Sequence, residues 1–263
     1  MNNDEIKKLI LDKIETQGGV PTFYDNLSYN LLVKTGMNTD ETKENFKKLF
    51  FDLINSKSTR YSHFRDRKNQ ICTYTKRKSS LDQISFLMSQ GTHSILKWKE
   101  LDLFKTAYDL ILYMQILSEI KPSLIIEYGS GSGGSALWLA DIASTIYDDF
   151  KIYSYDIAKP DLKHNKIKFE EIDLDKDFPV LKKDNTRKMV IEDAHVNIAN
   201  VLLETDKFLN TGDYLIVEDS VGKVSDIELF LSKANNNYMV DNYYVDFFGR
   251  NSSSAIDSIF VVV

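Results

Sequence analysis

One cysteine, Cys72, is all that the 263 residues contain, so no disulfide forms within the chain, and a single unpaired thiol suits a reducing compartment. Cations are not in excess either. The 33 Lys and Arg face 39 Asp and Glu, a net charge of -6, which disfavours nucleic acid as a partner because affinity for phosphate backbones rests on clustered positive charge. A small-molecule partner fits that balance better. No apolar run approaches the ~20 residues that span a bilayer, and the start Met1-Asn2-Asn3-Asp4-Glu5 lacks the basic and apolar blocks of a signal peptide. The expectation is a soluble cytoplasmic protein with no membrane partner. With four prolines there is no Pro-rich linker, and neither a Ser-rich linker nor an internal repeat marks a loosely tethered unit. The length accommodates one large α/β domain with an appendage, or two modest domains.

What is present falls into three zones. In the first, Ile6, Leu9, Ile10 and Ile14 recur at helical spacing, as do Phe46, Leu49, Phe50, Leu53 and Ile54 behind the cap candidates Thr39 and Asp40. Residues 1–90 are therefore read as a helical appendage and connector that covers a substrate mouth or builds a homo-oligomer interface. Within it, Arg60, Arg65, Arg67, Lys68, Lys76, Arg77 and Lys78 face only Asp66, and such a charge run reads as a solvated connector before it reads as an anion site. A helix is expected near residues 103–120, with Leu103, Phe104, Ala107, Leu110, Ile111, Met114 and Leu117 as its apolar stripe. Strands and helices then alternate, as in a doubly wound parallel sheet. Strands are expected at 124–128, 152–157, 167–172, 189–191 and 214–217, with helices from about 134, 198–208 and 226–234 between and after them. The last two strands, at about 243–248 and 258–263, have only turn residues between them and are expected to pair antiparallel. That closing hairpin resembles the class I methyltransferase fold: Rossmann-like, a seven-stranded mostly parallel sheet with an antiparallel last strand.

The segment Glu127-Tyr128-Gly129-Ser130-Gly131-Ser132-Gly133-Gly134-Ser135 follows a strand and opens a helix. Glycines there permit a tight turn and bring backbone amides close to a ligand. Gly129, Gly131 and Gly134 also satisfy the G-x-G-x-x-G fingerprint of NAD-binding proteins. Glu127, two residues before the first glycine, resembles the methyltransferase pattern in which that carboxylate lies near the cofactor, and with the closing hairpin this resemblance implies S-adenosyl-L-methionine (SAM) instead. The cofactor set is then Glu127, Gly129, Ser130, Gly131, Gly134 and Ser135, with Asp156 at a strand end accepting hydrogen bonds from ribose, and the resemblance implies Asp173, at the next strand end, near adenine.

Two acidic segments end neighbouring strands, Glu192-Asp193-Ala194-His195 and Glu218-Asp219. Carboxylates gathered at one sheet edge repel unless something neutralises them, and a hard divalent cation such as Mg²⁺ does so with oxygen ligands. That cation would lower the pKa of a substrate hydroxyl and orient it.

Trp98, Lys105, Asp109, Ile125 to Gly129, Gly133 to Leu137, Glu192 with His195, Gly212 to Tyr214, and Val217 to Asp219 together resemble the cephalosporin hydroxylase-like methyltransferases, a group that includes rhamnosyl O-methyltransferases. The likeness covers about residues 93–220. It implies a SAM-dependent O-methyltransferase domain over residues 91–263, acting on a hydroxyl of a sugar or natural-product intermediate, with Glu192, Glu218 and Asp219 as metal ligands and His195 as general base. Trp98, Lys105 and Asp109, which precede the glycine loop, would floor or gate the cofactor pocket, with a core position as the alternative for Trp98. The chain departs from the family pattern at Glu192 (usually aspartate), Glu100 (commonly glycine) and Ala107 (commonly proline), and Asp193 is the alternative to Glu192. An NAD-dependent oxidoreductase and a SAM-binding scaffold without catalysis remain the competing readings.

Overall fold

A computed structural model describes residues 2–16, 22–23, 39–55, 62–65, 71–74 and 79–263. Two amphipathic helices come first, α1 (Asn3–Thr16) and α2 (Asp40–Asn55), and they pack together through the buried Ile6, Ile10, Phe46 and Leu49. Thr39 precedes α2 and its Oγ1 accepts from the Thr42 amide, as a cap should. The helical expectation for this region is incomplete, however. Three short strands, β1 (Thr22–Phe23), β2 (Ser62–Arg65) and β3 (Ile71–Tyr74), form an antiparallel set that joins the main sheet. The expected connector thus contains paired strands, Arg65 opposite Ile71. Arg60, Arg67, Lys68, Lys76, Arg77 and Lys78 lie outside the described residues.

A short helix α3 (Gln83–Met88), capped by Asp82, leads to a small hairpin of β4 (Lys97–Trp98) and β5 (Leu101–Asp102). Helix α4 (Ala107–Ile120) starts at Thr106, whose Oγ1 accepts from the Asp109 amide at 3.0 Å, and ends at Lys121 in a left-handed cap just before Pro122. Because residues 103–106 are not helical, the buried stripe of α4 is not the expected one. It runs through Asp109, Leu112, Tyr113, Ile116 and Leu117, while Ile111 and Met114 are exposed and Phe104 lines the cleft described below.

From there the alternation holds: β6 (Leu124–Tyr128), α5 (Gly134–Ile146), β7 (Lys151–Asp156), β8 (Ile167–Glu171), β9 (Lys188–Glu192), α6 (Ile198–Asp206), β10 (Tyr214–Val217), α7 (Val224–Lys233), β11 (Tyr238–Asp241), α8 (Asn242–Val245) and β12 (Ile259–Val262). Every residue of β9, β10, β11 and β12 is buried, as expected of central strands covered on both faces. The sheet order is β8-β7-β6-β9-β10-β12-β11, continued by β2-β3-β1. Strands β6 to β10 are mutually parallel, and β12 inserts antiparallel between β10 and β11. This is the class I methyltransferase fold rather than an all-parallel dinucleotide domain. The partner of β12 lies earlier than expected, at 238–241 instead of 243–248. Asp241 stops the strand, since its side chain accepts from the Tyr243 amide and caps the single turn of α8.

In such a sheet, ligands are held at the carboxyl ends of the strands where the chain order reverses, which here lies between β6 and β9. Among the described residues, no helix is long and apolar enough to cross a membrane.

Candidate active site

A cleft of about 470 Å³ opens at that edge. The loop after β6 forms one wall. Gly129 adopts φ +100° and Gly131 φ +48°, conformations open to glycine at no steric cost. A Cβ on Gly129 would stand 2.6 Å from the Asp193 carbonyl oxygen, so the glycine lets two strand-end loops touch. The Gly131 amide donates to Asp156 Oδ2 at 2.8 Å, which ties this loop to the end of β7. Ser130 and Ser135 line the cleft, as do Gly129, Gly131, Asp156 and Asp173. Asp173 also pairs with Lys176 at 2.5 Å.

Two of the expected cofactor residues lie behind this wall instead of on it. Glu127 is fully buried and accepts from Ser154 Oγ at 2.6 Å and from Ser135 Oγ, so it braces the loop from below. Burial pushes its carboxyl above the usual range against the pull of Lys105 and the two serines. Gly134 has no room for a side chain because the Asp102 carbonyl packs against it, which seats the β4–β5 hairpin on α5.

The opposite wall is acidic. Asp193, His195 and Asp219 present ligand atoms within 4.8 Å of one another, and all three line the cleft. His195 Nε2 lies 3.2 Å from Asp193 Oδ1 and 3.5 Å from Asp219 Oδ2. The hydrogen bond to Asp193 raises the imidazole above its ordinary value. Burial works against the Asp193 carboxylate, yet the Lys105 ammonium and the His195 hydrogen bond override it and hold the carboxyl well below the usual range.

The expected metal set needs correction here. Glu192 is not part of this group: it is fully buried, its Oε2 is 2.8 Å from Lys223 Nζ, and its Oε1 accepts from the Ala194 amide. It still belongs to β9, paired opposite Val217, whereas Asp193 follows the strand end and turns into the cleft. Glu218 lies behind the group, its Oε2 2.6 Å from Lys105 Nζ and its Oε1 accepting from Tyr113 Oη. Burial pushes the Glu218 carboxyl up although Lys105 opposes the shift. Asp219 alone of the three faces the cleft.

Residues 90–200 match the family model described as Rhamnosyl O-methyltransferase/CmcI. Over those residues the chain is similar to that family. The rhamnosyl O-methyltransferase of Mycobacterium leprae (strain TN) is 35% identical over 136 residues, 47% of this chain and 59% of that one. The one from Mycobacterium tuberculosis (strain ATCC 25618 / H37Rv) is 32% identical over 131 residues, covering 44% and 54%. The chain thus spans less than two thirds of the length of the curated relatives it matches. Among solved structures, CmcI-N160 with SAH covers 72% of this chain and 95% of its own at 22% identity and a TM-score of 0.53. CmcI-D160 with Mg and SAM covers 72% and 88% at 20% identity and the same TM-score, 0.53. These two share the fold.

Of the three residues expected to floor or gate the pocket, only Lys105 lines it, and Tyr113 and Lys223 take roles that the sequence did not assign. Lys105 lines the cleft, and its ammonium reaches 2.7 Å from Asp193 Oδ2 as well as Glu218. Asp109 stays outside the pocket and accepts from Thr106 Oγ1 and Ser253 Oγ, joining α4 to the loop before β12. Trp98 donates to Asp141 on α5 and has no part in the cleft. Tyr113 carried a usable signal, one helical turn after Asp109 on the buried face of α4. Lys223 carried none.

Proposed function

We propose that the chain is a SAM-dependent O-methyltransferase that uses a divalent cation, Mg²⁺ foremost, to methylate a hydroxyl of a small molecule. A sugar is the acceptor class favoured by the names of its relatives. The observation that carries the reading is that the glycine loop with Asp156 and the group Asp193, His195 and Asp219 open into one cleft. In this reading residues 91–263 are the catalytic domain and residues 1–90 its appendage.

The residues suit both SAM and a divalent cation. Gly129, Gly131 and Asp156 would hold the amino-acid and ribose parts of SAM, and Ile157, Ile172 and Leu174 flank the wall beside Asp173 where adenine would lie. Asp156, Asp173, Asp193 and Asp219 favour a cationic sulfonium in the same cleft. SAM supplies the electrophilic methyl group. Asp193 and Asp219 offer hard oxygen donors in the small number that suits Mg²⁺, which keeps several waters. The cation would supply Lewis-acid polarisation of the acceptor hydroxyl. Asp193 orients His195 through Nε2, leaving Nδ1 as the nitrogen that takes up the hydroxyl proton. Glu127 keeps the glycine loop in place through Ser135 and Ser154.

The test is incubation of the full chain with methyl-labelled SAM and a panel of rhamnosides and other glycosides. Label transfer that stops on chelation and returns with Mg²⁺ is expected. Transfer undiminished in excess chelator would remove the cation from the reaction. Absence of SAH binding by calorimetry would overturn the cofactor assignment.

A further inference from the structure

The acidic wall already contains a cation, and it belongs to the protein. Lys105 is 4% exposed, yet its ammonium sits 2.7 Å from Asp193 Oδ2 and 2.6 Å from Glu218 Oε2. The second Glu218 oxygen accepts from Tyr113 Oη, so both oxygens of that carboxylate are taken. One Asp193 oxygen remains, and it is the one directed at His195 near Asp219. Lys105 therefore neutralises Asp193 and Glu218 from behind, and the part of the cluster that it does not reach is the cleft-facing part, Asp219 with the remaining Asp193 oxygen.

We infer that Lys105 is a built-in counter-cation that blocks the inner half of the acidic cluster, confines it to one divalent ion, and aims the remaining Asp193 oxygen at that ion. This rests on the divalent-cation reading above. An ammonium and a divalent ion compete for the same lone pairs, and buried carboxylates stripped of their partner must take up a proton or another cation. Lys105 is a positioning residue, since it acts through Asp193 and Glu218. The position also demands a long, flexible cation. Lys105 lies between the β4–β5 hairpin and the Thr106 cap of α4, and its long side chain carries the charge to the ends of both β9 and β10.

The experiment titrates Mn²⁺, as probe, into the full chain and its variants at fixed pH, counting bound ions by electron paramagnetic resonance. The expected result is one ion in the wild type, two in Lys105→Met, and one again in Lys105→Met/Glu218→Gln, where the inner carboxylate has lost its charge. One ion with unchanged affinity in Lys105→Met, or loss of binding altogether, overturns the inference and leaves the divalent-cation reading standing. If the wild type binds none and Lys105→Met binds one, the divalent-cation reading fails and the inference that rests on it fails too. If neither binds, both fail. Should Lys105→Met be unfolded alone, a melting transition restored by Mn²⁺ but not by NaCl of equal ionic strength supports the inference. A variant that Mn²⁺ cannot restore overturns it.

Discussion

The backbone amide of Gly131 donates to Oδ2 of Asp156 across 2.8 Å, so the glycine loop and the end of β7 form one unit. The contact spends one carboxylate lone pair on the loop and leaves the rest for a ligand. Asp156→Ala therefore removes both a loop brace and an acceptor for ribose hydroxyls. Hydrogen bonds to a charged group contribute about 1.5–3 kcal/mol, so SAH affinity measured by calorimetry should fall roughly 10- to 100-fold. Asp156→Asn, still able to accept from Gly131, should lose less. Equal affinity in wild type and Asp156→Ala would refute the ribose role.

Gly129 and Gly222 offer a controlled pair. At Gly129 the backbone φ is +100° and a Cβ would press on the Asp193 carbonyl, whereas a Cβ at Gly222 meets nothing within 4 Å. Gly129→Ala should lower stability by about 1–3 kcal/mol, the cost of a strained conformation, and weaken Mn²⁺ binding because Asp193 must move. Gly222→Ala should change neither. Thermal denaturation and Mn²⁺ titration of the two variants check this, and a Gly129→Ala protein with wild-type melting would show that the two loops yield freely.

The Lys223 to Glu192 pair is the third case. Both side chains are buried, at 2% and 0% exposure, with 2.8 Å between the charged atoms. Removing one partner strands the other in a dry site. Lys223→Met should cost about 3–5 kcal/mol, and Glu192→Met/Lys223→Met should recover much of it, because an apolar pair avoids the desolvation penalty. Chemical denaturation of the single and double variants measures the difference. A single variant as stable as wild type would mean that water reaches Glu192.

These cases show where sequence patterns carry information. The buried runs 124–128, 188–192 and 214–217 and the glycine loop between β6 and α5 were legible because a local pattern specifies each. Tyr243 to Phe248 looked like a strand, being rich in aromatic and β-branched residues, but the Asp241 side chain caps the Tyr243 amide and backbone bonds such as Asp246 N–H to the Asn242 carbonyl make it a helical turn. Strands β2 and β3 hide in a charged segment whose pairing is decided by the edge of β11, far away in sequence. The same holds at the site. Asp156 and Asp219 follow from strand-end position, but the choice between Glu192 and Asp193 depends on where β9 stops, and Lys105 and Lys223 each find their partners across more than thirty residues.

That choice is open to a direct test through the cation. Glu192 is sealed by Lys223, while Asp219 is exposed on the cleft and stands 3.5 Å from His195. If the cation is held by Asp193 and Asp219, Asp219→Asn replaces a charged donor with a neutral one and should weaken Mn²⁺ binding roughly 10-fold or more, the scale on which even outer-shell partners of a metal act. Glu192→Gln should leave Mn²⁺ affinity within error of the wild type, since its oxygens never reach the cleft. SAH affinity should survive in both variants, because neither side chain touches the glycine loop. The discriminating result is the contrast between the two: Mn²⁺ affinity lost in Glu192→Gln and kept in Asp219→Asn would return the ligand role to the end of β9 and require Lys223 to swing away when the cation binds.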